Sequence, residues 1–395
     1  MKNITFPEKV TKTVPSIIRA VMDKGAEIPN FISLAMGNPA KEAIPADVIL
    51  QAIEEITKEN PMLFMQYGPQ VGYGPLLDWI SKYLIEKKGF STDNKVLLLT
   101  GSGVGLGLVP RCFCNEGDEV FMDEFSFTNG INAVTNAGAV PVGIKMDKEG
   151  MIPEELEKAA QSGKGKYIYL IPNFHNPLGM TMPMERRKAI YEIAQRYDLL
   201  IYEDDPYGDI RFKGEHIPAI KSLDVDGRVI YAGSFSKTLS AGLRVGYLYV
   251  NTKFFPSMLS LKTSMDGQSP LLNQMIVHRS LSKLDFPSYI QNVCDIYGRK
   301  CEIMVNALHQ YCDERISFVE PEGGMFVWVE LPGEMDSVQV FEKCLEKGVG
   351  IVRSIGFATD YEKNPGNAFR LNYTFATDEE IEKGIQILGE VLKEF

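Results

Sequence analysis

Histidine and cysteine are scarce in this chain of 395 residues, four of the first and six of the second. The cysteines (112, 114, 294, 301, 312 and 344) are too few to staple a chain of this length. One residue separates Cys112 from Cys114, which fits neither a zinc knuckle nor a thioredoxin-type pair, so reduced thiols and no metal site are expected. No run reaches the ~18 consecutive apolar residues that a membrane-spanning helix needs. The opening MKNITFPEKVTKTV lacks the apolar core of a secretory leader. An excess of basic charge is also missing. The net charge of -11 argues against broad contact with nucleic acid or anionic membrane, while leaving room for a local anion pocket. Together these absences describe a soluble, cytoplasmic protein with small-molecule partners.

What remains is ordinary globular material, 45% hydrophobic and 24% charged, in a chain long enough for two domains. Apolar runs rich in Val, Ile and Tyr alternate with stretches of helical period, the pattern of an α/β domain around a mostly parallel sheet. Seven strands are expected, at 95–100, 119–123, 140–146, 166–171, 199–204, 228–233 and 244–250. PMERRKAIYEIAQRY is typical of the helices between them, with Pro183 and Glu185 suited to its start. From about residue 286 the pattern becomes a long amphipathic helix, short strands in FVWVEL and RLNYTF, and a closing helix. The expected division is a large domain over 45–285 and a smaller α+β domain built from 1–44 and 286–395. No repeat or low-complexity linker separates the two.

Ligands of open parallel sheets bind beyond the carboxyl ends of the strands, and four strand-end loops there carry unusual residues. SFSKTLSAGLR places Lys237 among Ser234, Ser236 and Arg244, with no acid between them. This is an anion site containing an amine able to attack a carbonyl. GSGVGLGL opens a helix whose free N–H groups suit a phosphate. It fails the dinucleotide spacing, because that pattern would need glycine at Leu106. LLIYED ends in Asp204 with Tyr207 three residues on, a carboxylate and a phenol able to face one ring. IPNFHNPLG sets the amide of Asn176 before a proline. Each loop also has a plainer reading as a solvated turn. Their value lies in convergence: one crevice would hold a phosphate cradle, an amine, a carboxylate, a phenol and an amide.

These motifs, in this order over nearly the whole chain, resemble the class I aminotransferases of fold type I that depend on pyridoxal phosphate. QYGPQVGYGPLLDWI, EDDPYGDIRF, SFSKTLSAGLRVGY, PEGGMFVWVELP and FRLNYTFA are most similar to the 2-aminoadipate, kynurenine and aromatic branch. The resemblance implies a homodimer that moves an amino group from an α-amino acid to a 2-oxo acid such as 2-oxoglutarate, in two half-reactions through a Lys237 Schiff base. Lys237 matches the lysine that holds the cofactor and shuttles the proton. Asp204 matches the partner of the pyridine nitrogen, and Tyr207 and Asn176 those of the phenolic oxygen. Ser102, Gly103, Val104, Ser234, Ser236 and Arg244 fall on the phosphate cup. Phe127 matches the aromatic stacked on the ring, and Tyr67 a tyrosine lent by the neighbouring subunit. Arg370 matches the clamp on the substrate's α-carboxylate, beside Gly37.

Some positions depart from the family pattern. Gly103 and Val104 replace two glutamines, Leu178 replaces the usual threonine after Asn-Pro, and Arg353 with Ser354 replaces Pro-Gly. Arg19 lies where the branch can reach a side-chain carboxylate, which points to a dicarboxylic substrate; it reads equally well as a surface arginine. His175 is expected on the rim. Two rivals keep the same motifs: a carbon–sulfur lyase on this fold, and the sensor domain of a transcription regulator, for which about 30 residues before FISLAMGNP leave no room for a DNA-binding unit.

Overall fold

The computed structural model describes residues 5–360 and 362–395, so the first four positions of the leader reading lie outside it. Seven strands form one sheet: β1 (Asn94–Leu99), β2 (Glu119–Asp123), β3 (Val140–Ile144), β4 (Gly165–Leu170), β5 (Leu200–Asp204), β6 (Val229–Ser234) and β7 (Gly246–Asn251). Their spatial order is β1-β7-β6-β5-β4-β2-β3. Every pair is parallel except those made by β7, which runs antiparallel to both β1 and β6. The helices that frame the site are α1 (Ile17–Gly25), α2 (Gly74–Lys88), α3 (Ser102–Phe113), α4 (Thr128–Asn136), α5 (Met184–Arg196), α6 (Phe286–Tyr311) and α7 (Asp378–Leu392). None among the described residues is long and apolar enough to cross a membrane.

The apolar runs of the sequence have a direct cause in this sheet, because both of its faces are covered. Leu97, Leu99, Tyr167, Tyr169, Ile230 and Leu248 enter one core cluster. Their alternates pack on the other face, Val96, Leu98 and Tyr231 in one cluster and Ile168, Leu170 and Ile201 in another. Alternation along each strand thus buries both sets of side chains.

Two strand ends differ from expectation. The stretch 140–146 breaks after Ile144, and Met146–Asp147 pairs instead with Gly150–Met151 in a separate hairpin. The last strand begins at Gly246 rather than Arg244, because Arg244 adopts a left-handed backbone with φ 51°. That turn takes its guanidinium out of the ladder.

A second sheet is four-stranded and antiparallel, β8 (Ser317–Phe318), β9 (Phe326–Glu330), β10 (Val352–Arg353) and β11 (Ala368–Asn372), in the order β8-β9-β11-β10. One face packs on α6 and α7. Helix α7 starts with a capping box in which Thr377 and Glu380 satisfy each other's backbone N–H groups. The other face turns Arg370 and Trp328, partners across the β9–β11 ladder, toward the strand ends of the large sheet.

Candidate active site

The loop after β6 turns immediately, and Lys237 projects from that turn into a crevice shared with Gly37, Arg244 and Arg370. Its Nζ donates to the carbonyl of Gly37 at 2.6 Å. Burial, reinforced by the charges of Arg370 and Arg244, lowers the amine to about 8. Such an amine loses its proton far more readily than an ordinary lysine and reaches the uncharged state that a nucleophile or base requires just above neutral pH.

Beside it lies the cradle. Gly101 precedes α3 at φ 80°, and a Cβ there would stand 2.3 Å from Nη2 of Arg244. A Cβ on Gly246 would meet the backbone N of Ser102 at 2.4 Å. The helix start and the arginine can therefore approach only because both positions are glycine. Arg244 Nη1 donates to Ser236 Oγ at 3.4 Å, and Ser234 Oγ accepts from the N–H of Ser236 at 3.1 Å. Ser102 and Gly103 open the first turn of α3, whose leading N–H groups lack intrahelical acceptors. The N–H of Val104 is already engaged by Gly101 O at 3.2 Å.

Asp204 closes β5 and is buried. Its Oδ2 accepts from the hydroxyl of Tyr169 at 2.8 Å, whereas Oδ1 is buried with no hydrogen-bond partner among the described residues. Burial raises this carboxyl to about 7, with the Tyr169 hydrogen bond opposing and the charge of Asp205 adding. An orphaned, buried carboxylate oxygen calls for a cationic donor, and a protonated pyridine nitrogen is one. Together with the anion cradle and the depressed lysine, this donor set fits pyridoxal phosphate.

Tyr207 is buried against Phe326, edge to face at 5.9 Å, and burial pushes its phenol upward. Asn176 Oδ1 accepts from Arg370 Nη1 at 2.8 Å. Arg370 Nη2 donates to the carbonyl of Ala35 at 2.7 Å. Its guanidinium lies over the rings of Phe326 and Phe357, 4.2 and 4.9 Å from their centroids, and its Nε has no partner among the described residues. Burial brings this arginine down to about 10, so it still carries its charge at neutral pH. Phe127 caps α4, half-buried.

Two predicted residues stand apart from this cluster. Arg19 on α1 is 83% exposed and lies 3.6 Å from Asp23. Tyr67 is 94% exposed. The expectation for His175 was wrong. It is fully buried, with Nε2 3.2 Å from Asp123 Oδ2 and Nδ1 accepting from the N–H of Leu178 at 3.3 Å. The turn into Asn176 and its proline folds the imidazole inward beneath the loop. Sequence reading also missed Tyr169, an inward residue of KYIYLI, and the carbonyl of Ala35, which leaves no trace in side-chain chemistry.

Comparison with known proteins gives this geometry its family. The sequence pattern of aminotransferase class I and II matches residues 29–388. Aromatic-amino-acid aminotransferase 1 of Thermococcus litoralis is 33% identical, with 98% of this chain and 94% of that protein covered. The 2-aminoadipate transaminase of Thermus thermophilus is 32% identical over 96% of this chain and 94% of its own length. The crystal structure of Pyrococcus horikoshii kynurenine aminotransferase superposes with a TM-score of 0.93 at 33% identity, covering 98% of this chain and 97% of that one.

The chain belongs to the class I and II aminotransferase family. It is a fold-type-I enzyme that transfers amino groups with pyridoxal phosphate, and neither the lyase nor the regulator reading is favoured.

Proposed function

We propose that the enzyme takes the amino group of an α-amino acid of 2-aminoadipate, glutamate or aromatic type and delivers it to 2-oxoglutarate, with Lys237 as the catalytic amine. The observation that carries this assignment is the buried Oδ1 of Asp204, without a hydrogen-bond partner among the described residues, in the same crevice as Lys237. The substrate class follows from the relatives: an aromatic, an aminoadipate and a kynurenine aminotransferase all align over nearly the full chain.

In this reading bound pyridoxal phosphate supplies an electron sink for negative charge at the substrate's α-carbon. Ser102, Gly103 and Val104 at the start of α3, with Ser234, Ser236 and Arg244, would hold its phosphate. Asp204 would keep a proton on the ring nitrogen, and Phe127 would pack against the ring. Tyr207 and Asn176 would donate to the phenolic oxygen. Arg370 offers its planar fork to the α-carboxylate, beside Gly37, which selects amino acids over simple amines. With the cofactor bound, Lys237 would serve as a tethered base for the proton of the substrate's α-carbon. Phe326 and Phe357 keep water from the clamp. Each cycle is two such half-reactions in ping-pong order, one per substrate.

Residues 45–285 form the catalytic domain, with 1–44 and 286–395 as the smaller one. A homodimer in the cytoplasm completes the assignment. Tyr67 is exposed beside Met62, Leu63 and Met65, an apolar surface that a second copy would cover and from which Tyr67 would reach the partner's phosphate. All six cysteines are free, in keeping with a reducing compartment.

The test is the visible absorption spectrum of the loaded protein. Addition of 2-aminoadipate, glutamate or an aromatic amino acid should bleach the band, and 2-oxoglutarate should restore it. A band that no amino acid changes refutes transfer by this site.

A further inference from the structure

Below the ring-binding loops lies a second layer of polar residues that takes no part in the chemistry described so far. Asp205, directly after Asp204, points away from the crevice and is buried. Its Oδ1 accepts from Asn173 Nδ2 at 2.8 Å, and its Oδ2 accepts from the hydroxyl of Tyr231 at 2.8 Å. Lys88 Nζ of α2 stands 3.9 Å from the same Oδ2 and 2.8 Å from Asp209. Asn173 is itself gripped by Arg187 of α5, whose Nη2 donates to Asn173 Oδ1 at 2.6 Å. The other guanidinium nitrogens of Arg187 donate to the carbonyls of Met182 and Pro218.

The arrangement has one consistent polarity. A guanidinium only donates, so the oxygen of the Asn173 amide must face Arg187 and its NH2 must face Asp205. Neither end can be reversed. The bridge therefore joins two loops at a fixed separation: Asn173 lies three residues before Asn176, and Asp205 two residues before Tyr207. The turn carrying Tyr207 also folds directly over the Asp205 carboxylate, because a Cβ on Gly208 would stand 2.3 Å from Asp205 Oδ2.

We propose that the Arg187–Asn173–Asp205 bridge is a positioning device that sets the spacing between Asn176 and Tyr207, and through them the proton affinity of the Lys237 nitrogen in the loaded enzyme. These three residues touch neither cofactor nor substrate. They act through the two donors that draw charge from the phenolic oxygen, and less charge on that oxygen means a weaker hold on the neighbouring proton. The inference rests on the assignment of Asn176 and Tyr207 made above.

The experiment is a pH titration of the visible band of pyridoxal-phosphate-loaded protein, with the cofactor dissociation constant measured alongside. Asn173→Ala keeps every charge and cuts the bridge, so the midpoint should rise by ~0.5 pH unit or more as the two donors drift from the ring oxygen. Asn173→Ser, smaller but still polar, serves if the alanine variant does not fold. Tyr207→Phe should raise the midpoint further, and the double variant should fall short of the sum of the two shifts, since both changes act in part on the Tyr207 hydrogen bond.

Glu203→Gln is the control. Glu203 is a neighbouring buried carboxylate that holds the N–H groups of Ile220 and Lys221 and no ring-binding loop. Its removal should lower stability and leave the midpoint in place. If Tyr207→Phe leaves the midpoint unmoved, the ring-partner assignment fails. If Tyr207→Phe moves it while neither Asn173 variant does, or if Glu203→Gln moves it as much, the positioning bridge is overturned.

Discussion

The buried residues of the site and the two predicted residues that stand apart from it behave differently in the folded chain. Asp204, Tyr207, Asn176 and Arg370 are buried, and each meets a group from a distant part of the sequence; Arg370 and Asn176 bond across 194 residues. Arg19 and Tyr67 are 83% and 94% exposed, and among the described residues Arg19 pairs only with Asp23 on its own helix. A residue whose partners lie in the same chain is oriented by folding. One whose partner is a ligand side chain or a second subunit gains its orientation only when that partner arrives. The first group should therefore govern whether the reaction occurs, and Arg19 of the second which substrate is preferred.

The sharpest way to break this comparison is at its centre. Lys237→Ala should leave far-UV circular dichroism unchanged and reduce transfer from glutamate to 2-oxo acids by ~10²- to 10⁴-fold from the lost proton transfer alone. Turnover retained in that variant would remove Lys237 from the mechanism. Next in size is Arg370. It is fully buried, so Arg370→Ala strands the substrate's carboxylate. At the ~2–5 kcal/mol typical of truncating one partner of a buried charge pair, kcat/KM for α-amino acids should fall by ~30- to 5000-fold. Arg370→Lys should recover little of it, because an ammonium cannot reproduce a planar fork. Equal losses for an amine without a carboxylate would show that the arginine acts on the protein rather than the substrate.

These large effects fall on residues that motif order made legible. Lys237, Asp204 and Asn176 follow apolar runs that end in loops, and the parallel sheet puts such ends together. Their supports were hidden for a physical reason. Tyr169, Asn173 and Asp205 lie within or beside buried strands, where a polar residue bonded to a neighbour looks like any other member of the run. Its partner is set by sheet order, which period alone does not supply. Arg370 was found by resemblance and not by spacing; nothing in RLNYTF itself links it to Asn176. Arg244 was expected at the start of a strand and lies before it, because a left-handed non-glycine residue leaves no mark in composition. His175 failed as a rim residue for a related reason: a turn residue was assumed to face water, and here the turn folds it against Asp123.

A smaller effect sharpens the electrostatic side of the cluster. Burial first, then the nearby charges of Arg370 and Arg244, lower the Lys237 amine to about 8. Below that pH the amine is protonated and inert, and above it the free base accumulates. The rate at which cofactor-free protein captures pyridoxal phosphate should therefore climb with pH through a midpoint near 8 and then level off. Removing a repelling cation reverses part of the shift, so the midpoint in Arg370→Ala should move upward. A midpoint that stays put would mean that burial alone tunes the lysine.

The smallest expected effect is at Arg19, and it tests the other half of the comparison. The side chain is exposed and pairs with Asp23 of its own helix, so Arg19→Gln should change stability little. Transfer from an aromatic amino acid should stay within ~2-fold of the parent. With 2-aminoadipate or glutamate, whose second carboxylate can recruit an exposed guanidinium, kcat/KM should drop by ~10-fold, the scale of one charge-assisted hydrogen bond. Most of the drop should appear in KM, because the contact forms with substrate and transition state alike. If all three donors respond equally, Arg19 is a surface residue of α1, and the preference between dicarboxylic and aromatic substrates is set by the buried wall that includes Phe326 and Phe357.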